Sequence, residues 1–187
     1  MKIRFAAVLA ACLAAGAAFA DPVPEDQRVP IDLRRTTLVV NDIERSLEFY
    51  RDALGMAVIY DNLILTPRDA AGVEDAERAL RLVMLRANDD YIGVVGLLQY
   101  FKPAKETVDL AGTSFMEGTA VLLFNVEDLT GAFARASSIE GVVVIDEPMP
   151  VSYPSYDGEG VIDVIVSTLQ DPDGFTIELN QLQSELR

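Results

Sequence analysis

RTTLVVNDIERSLEFYRDALG, residues 35–55, decides the fold, because it joins a strand, a helix start and a helix stop in one phrase that the chain then repeats. Placing Asp128 on Asp42 superposes it on VLLFNVEDLTGAFARASSIEG, residues 121–141. In each copy a β-branched and apolar run ends in a polar pair. Apolar residues then recur at the spacing of one buried helix face: Ile43, Leu47, Tyr50 and Leu54 in the first copy, Leu129, Phe133, Ala136 and Ile139 in the second. Asn41 followed by Glu44 reads as a capping box, and Gly55 and Gly141 as helix stops.

Strand-like runs follow each helix. After the first come MAVIYD (56–61), ALRLVMLR (79–86) and YIGVVGLLQY (91–100), separated by the polar stretch 67–78 and by Asn88-Asp89-Asp90. After the second come GVVVID (141–146), VIDVIVSTLQ (161–170) and FTIELNQL (175–182), separated by a Pro/Tyr/Ser loop over 148–160 and by Asp171-Pro172-Asp173-Gly174. The chain therefore reads as two β-α-β-β-β modules, one over 33–100 and two over 119–183, joined by a linker over 101–118 with Pro103, Gly112 and Gly118 as breakers. A four-stranded sheet cannot bury both faces alone. The expected architecture is α+β: one domain over 31–187 in which the modules form a cupped, partly open mixed-sheet barrel with the helices outside.

The first twenty residues combine Lys2 and Arg4, an apolar Ala-rich run from Phe5 to Phe19, and Ala18 and Ala20 before Asp21. That is the pattern of a signal peptide cut after Ala20, which leaves 21–30 as an N-terminal extension and sends the protein to the periplasm or outside the cell. The apolar run is shorter than the roughly 20 residues a membrane-spanning helix needs. Leu9-Ala10-Ala11-Cys12 competes as a lipoprotein box; without lipid on Cys12, no membrane attachment is expected.

Thirty Asp and Glu against 15 Lys and Arg give a formal net charge of −15, which deepens when Lys2 and Arg4 leave with the leader. Such a surface repels phosphate backbones and anionic lipid, so nucleic acid is not expected as a partner. There is no histidine, and the single cysteine lies in the leader. Imidazole bases, Ser-His-Asp and Cys-His systems, metal sites built on His or Cys, and any disulfide of the mature chain are thereby excluded.

The opening phrase resembles the start of glyoxalase/bleomycin-resistance/dioxygenase (vicinal oxygen chelate) domains, in which a His-x-x-Leu-x-Val-x-Asp strand enters a Ser-Leu-x-Phe-Tyr helix and a Leu-Gly. The matching residues are Leu38, Val40, Asp42, Ser46, Leu47, Phe49, Tyr50, Leu54 and Gly55, and DPDGFTIELNQ (171–181) is similar to the family's closing turn and strand. In metal-using members, ligands from the first and last strands of each module converge on one divalent ion. Carried over position by position, those places fall on Arg35, Gly96, Val121 and Glu178. Only Glu178 is a ligand type, and one carboxylate beside an arginine does not hold a divalent ion. The resemblance instead suggests that the Arg35 guanidinium takes the metal's place and pairs with Glu178.

Other candidates are weaker. Asp171-x-Asp173-Gly174 lacks the sixth-position Gly and twelfth-position Glu of a calcium loop and reads as a tight turn. Tyr153 and Tyr156 sit in the Pro-containing loop and are candidate ligand contacts, whereas Tyr60, Tyr91 and Tyr100 lie in or beside strands as core or cavity wall. The acidic neighbours Glu74 and Asp75, and Asp157 and Glu159, read as solvated loop positions. The resulting expectation is a metal-independent, cofactor-free, exported protein binding a small organic molecule through Arg35, Glu178, Tyr153 and Tyr156. A metal-dependent glyoxalase- or dioxygenase-like enzyme is the alternative. The family resemblance is compatible with a homodimer.

Overall fold

The computed structural model describes residues 23–156 and 158–183; the leader expected over 1–20 lies outside the described residues. Module one consists of β1 (Arg35–Val39), α1 (Ile43–Leu47) continuing into a π-helical stretch (Glu48–Ala53), β2 (Ala57–Thr66), β3 (Arg78–Arg86) and β4 (Val94–Lys102). Module two repeats the order with β5 (Val121–Asn125), α2 (Leu129–Ser137), β6 (Val143–Pro154), β7 (Val161–Gln170) and β8 (Thr176–Leu182). The sheets have orders β1-β4-β3-β2 and β5-β8-β7-β6, with the first strand of each module parallel to the last and the other pairs antiparallel. The two-module α+β architecture with open sheets is as expected from the repeat.

Matching hydrogen bonds fix the entry to both helices. Asp42 and Asp128 are the N-caps, accepting from the backbone N–H of Glu44 and Gly131. One N–H in the first turn of each helix is taken by a glutamine of the closing strand: Ile43 donates to Gln99 Oε1 and Leu129 to Gln181 Oε1, both at 3.2 Å. The expected capping box does not form, because Asn41 is engaged elsewhere: its backbone N–H and Nδ2 both donate to Asp173 of module two. Gly55 stops the first helix in the left-handed region, at φ 79°.

Period-two alternation sends one face of each sheet onto the helices and leaves the other open. Leu38, Val83, Leu85, Val95 and Leu97 from the first sheet, and Leu169, Ile177 and Leu179 from the second, join Ile43, Leu47, Tyr50, Leu129 and Ala136 in one continuous core shared by both modules. Tyr50 is fully buried and packs against Phe49 and against Phe124 of module two. Arg135 Nε donates to Ala53 O and Arg45 Nη2 to Glu140 O, tying each helix to the other module.

The closing turn of module two completes the junction. Asp171 accepts from the N–H groups of Asp173 and Phe175, and Gly174, at φ 89°, closes the turn back to Asp171 O, which is the tight turn expected from the sequence. Asp173 then accepts from Asn41 and from Ser46 Oγ, while Tyr50 Oη donates to Asp171 at 2.7 Å.

β6 corrects the sequence reading, since it runs to Pro154 through residues taken as loop. Pro148, Pro150 and Pro154 fit a strand because β6 is an edge strand with register shifts between Val144 and Met149, where a missing N–H costs no ladder bond. Tyr153 is accordingly a strand residue paired opposite Ile162, and only Tyr156 lies beyond the strand end.

Candidate functional site

The open faces of the two sheets make two separate cups. Parallel pairing sets Thr37 beside Gly96 and Val39 beside Leu98 in module one, and Leu123 beside Glu178 and Asn125 beside Asn180 in module two. The position that carries Gly96 in the first cup thus carries Glu178 in the second.

In the first cup Arg35 crosses the sheet to place Nη1 3.0 Å from Met84 Sδ. Its stem lies over Gly96. A Cβ built on Gly96 would meet Arg35 Cδ at 3.1 Å and Thr37 Oγ1 at 3.0 Å, so no larger side chain fits without displacing the arginine. Arg35 and Gly96 are therefore coupled sterically: the space a metal-ligating side chain would need is filled by the arginine's stem. Farther along the same face, the linker closes a cavity of about 570 Å³ walled by Val39, Tyr100, Val108 and Phe175, with Lys105 Nζ 5.1 Å from the Tyr100 ring centroid.

The second cup holds the carboxylate. A cavity of about 680 Å³ is lined by Glu178, Asn180, Asn125, Tyr153 and Tyr156 over an apolar wall that includes Leu123 and Ile162. Glu178 is half-buried, and desolvation raises its pKa above the ordinary glutamate value. Asn180 is only 9% exposed, and its Oδ1 is enclosed without a hydrogen-bond partner among the described residues. A buried amide oxygen left unsatisfied is costly, and such groups ordinarily find a partner.

Three of the four residues singled out from sequence, Glu178, Tyr153 and Tyr156, thus share one cavity. Arg35 does not join them. It faces the other sheet, and no Arg35–Glu178 ion pair is present among the described residues. The expected exchange of metal for guanidinium fails because the two cups do not meet: Arg35 is occupied over β4 of its own module, while every residue lining the Glu178 cavity belongs to module two. Sequence reasoning missed Asn180 and Asn125. Alternation along β8 carried the signal for the first, since Asn180 follows Glu178 by two positions and shares its face. Val121 is a half-open apolar position on β5 with no ligating atom. No group of three or more His, Cys, Asp or Glu side chains that could hold a metal ion occurs among the described residues.

Tyr100 is cavity wall, whereas Tyr91 is exposed beneath the Arg34 guanidinium, 4.6 Å from its ring centroid.

A family model described as the glyoxalase/bleomycin resistance protein/dioxygenase superfamily matches residues 32–179. The chain belongs to that superfamily. Solved structures agree at the level of fold. A glyoxalase family protein from Bacillus cereus superposes with a TM-score of 0.63 at 14% identity, covering 84% of this chain and 98% of that one. The trypanothione-dependent glyoxalase I of Leishmania major gives 0.51 at 22% identity over 81% and 86% of the two chains. A glyoxalase I mutant from Zea mays gives 0.50 at 19% identity, with 80% of this chain matching 45% of that one. No curated protein matches the superfamily member described here. Identities this low speak for the scaffold and leave the chemistry to the residues in the cups.

Proposed function

We propose that this superfamily member binds a small organic molecule in the cup of module two, and does so without a metal. The observation that carries the proposal is the convergence of Glu178, Asn180, Tyr153 and Tyr156 on one largely apolar cavity of about 680 Å³, a size suited to a small ligand. Metal independence is supported by the donor set. Arg35 and Gly96 fill the ligand positions of one cup, Val121 and Glu178 those of the other, and a lone carboxylate does not satisfy a divalent ion.

Elemental analysis of the purified mature protein, with thermal-shift titration of Mn, Ni, Zn, Fe and Ca salts, tests the metal half. A stoichiometric ion lost on Glu178→Ala would favour the alternative, a glyoxalase- or dioxygenase-like enzyme. A small-molecule screen read by intrinsic tyrosine fluorescence tests the binding half, and hits that survive Glu178→Ala together with Tyr153→Ala would place the ligand elsewhere.

Export, inferred from residues 1–20, belongs to the same proposal and predicts a mature chain starting at Asp21. A homodimer is a further part of it. The open sheet faces expose Val39, Val121 and Met149, apolar surface outside the Glu178 cavity that a second copy would cover. Light scattering on the mature protein decides between one copy and two.

A further inference from the structure

The geometry points to a cation as the ligand of the module-two cup: a small amine, protonated at neutral pH and carried on an apolar or aromatic body. This rests on the reading of that cavity as a ligand site and adds the chemical class that fills it.

Charge gives the first line of support. Among the described residues that line the cavity, Glu178 supplies the one carboxylate, and none is a lysine or arginine. Arg35, which would have favoured an anion, is held over Gly96 in the other cup. An anionic ligand would enter a half-buried site facing a carboxylate with nothing to neutralise it. A neutral ligand would desolvate Glu178 further and return no counter-ion. A protonated amine supplies that counter-ion as it enters, and the formal charge of −15 on the chain draws cations toward its surface.

Hydrogen bonding gives the second. Asn180 Oδ1 is enclosed, unpartnered, and part of a side chain more than nine-tenths buried on the wall of this cavity. Asn125 is its register neighbour on β5, and Glu178 precedes it by two residues on the same face of β8, roughly 7 Å along the strand. The wall therefore offers a carboxylate and two amide carbonyls, reachable after rotation of the amides, and an ammonium carries three donors and no acceptor. The tyrosine pair gives the third line of support: Tyr153 and Tyr156 bring aromatic rings to the same cavity, and such rings attract cations with their faces and stack on aromatic bodies.

The experiment compares three probes of similar size on the full mature protein: 2-phenylethylamine as cation, 2-phenylethanol as neutral compound and 3-phenylpropanoate as anion, each titrated at pH 7.5 by tyrosine fluorescence and by NMR. The expected order is cation, then neutral, then anion, with about a ten-fold or larger preference for the amine over the carboxylate. Glu178→Gln should bring that preference to within about three-fold while the neutral probe keeps its affinity. Asn180→Ala should weaken the amine more than benzyltrimethylammonium, which has no N–H to donate. Equal or tighter binding of the carboxylate, or a preference unchanged in Glu178→Gln, overturns the assignment of a cation. If the neutral probe binds and is weakened by Tyr153→Ala but charge makes no difference, the cation is wrong and the ligand site stands. If none of the three probes binds, both fall.

Discussion

The two cups are built on equivalent strands in the same order and carry different side chains at their matched positions. Module one places Arg35 on its opening strand and Gly96 on its closing strand, with Lys105 reaching over the far end. Module two places Val121 on its opening strand and Glu178 on its closing strand. The two modules share what folding needs, the caps Asp42 and Asp128 and the glutamines Gln99 and Gln181, and differ on their open faces. In each module the open face is free to change because the core lies on the other side of the sheet.

The closing turns show the same asymmetry in stability. In module one, Asp89 accepts from the N–H groups of Tyr91 and Ile92 in solvent. In module two, Asp171 is 1% exposed and Asp173 receives donors from Asn41 and Ser46 across the junction. Replacing Asp173 with Ala removes the acceptor of two Asn41 donors and one of the two acceptors within reach of Ser46 Oγ and should cost about 2 kcal/mol, while Asp89→Ala should cost much less. Urea denaturation of both variants measures the contrast. Equal losses would mean that the turn of module two does not hold the modules together.

A second contrast is in pH. Burial is the main cause that pushes the Asp171 carboxyl up to about 6, against the downward pull of the Tyr50 hydroxyl and the N–H groups of Phe175 and Asp173. A folded-state pKa above the unfolded value means that the folded protein binds the proton more tightly. Its contribution is therefore full below about pH 4 and disappears as the pH rises through 6. Relative to Asp171→Asn, the wild type should lose roughly 2 kcal/mol between pH 4 and pH 7.5. Carboxylates with lowered pKa, such as Asp61 beside Arg81, act in the opposite direction but equally in both proteins, so they cancel in the difference. A flat difference between the two stability curves would show that Asp171 is solvated. At the exposed Asp89 turn, hydrogen bonds from Ile92 and Tyr91 hold the carboxyl below its usual range, so its contribution has the opposite sign: present at neutral pH and lost on acidification.

Arg35 and Gly96 sharpen the comparison inside module one. Gly96→Ala puts a methyl group 3.1 Å from the arginine stem and should cost about 1 kcal/mol. Arg35→Ala should relieve the arginine's share of that cost in the double variant, the Thr37 contact at 3.0 Å remaining, so thermal denaturation of the two single variants and the double should show non-additivity. Additive losses would mean that the residues occupy separate space.

The repeat made the fold legible because its signals are local: alternation for strands, a helical spacing of apolar residues, and Gly at the stops. The site was legible only in part. Glu178 and both tyrosines, named together from sequence, line one cavity, whereas Arg35, the partner given to Glu178, lies in the other cup of the chain. Whether Arg35 faces Glu178 depends on how two sheets are oriented across a shared core, and no periodicity within either module encodes that. Tyr153 was assigned to a loop because proline was weighed without knowing that β6 would be an edge strand. Asn41 was assigned to a cap because its true partner, Asp173, lies on the far side of the chain.

The smallest expected effect tests the symmetry itself. Gln99 and Gln181 each accept one orphan N–H in the first turn of a helix, at the same 3.2 Å, from the closing strand of their own modules. Loss of either acceptor should cost about 0.5–1 kcal/mol, near the low end for an N-terminal helix partner. Gln99 Nε2 also donates to Asn41 O at 2.7 Å, a bond with no counterpart found for Gln181 among the described residues. Gln99→Ala should therefore exceed Gln181→Ala by a few tenths of a kcal/mol. Gln99→Glu, which keeps the acceptor and loses the donor, should recover the larger part of the loss. A Gln181→Ala variant that loses more than Gln99→Ala would show that the two helix entries are alike in geometry and unlike in energy.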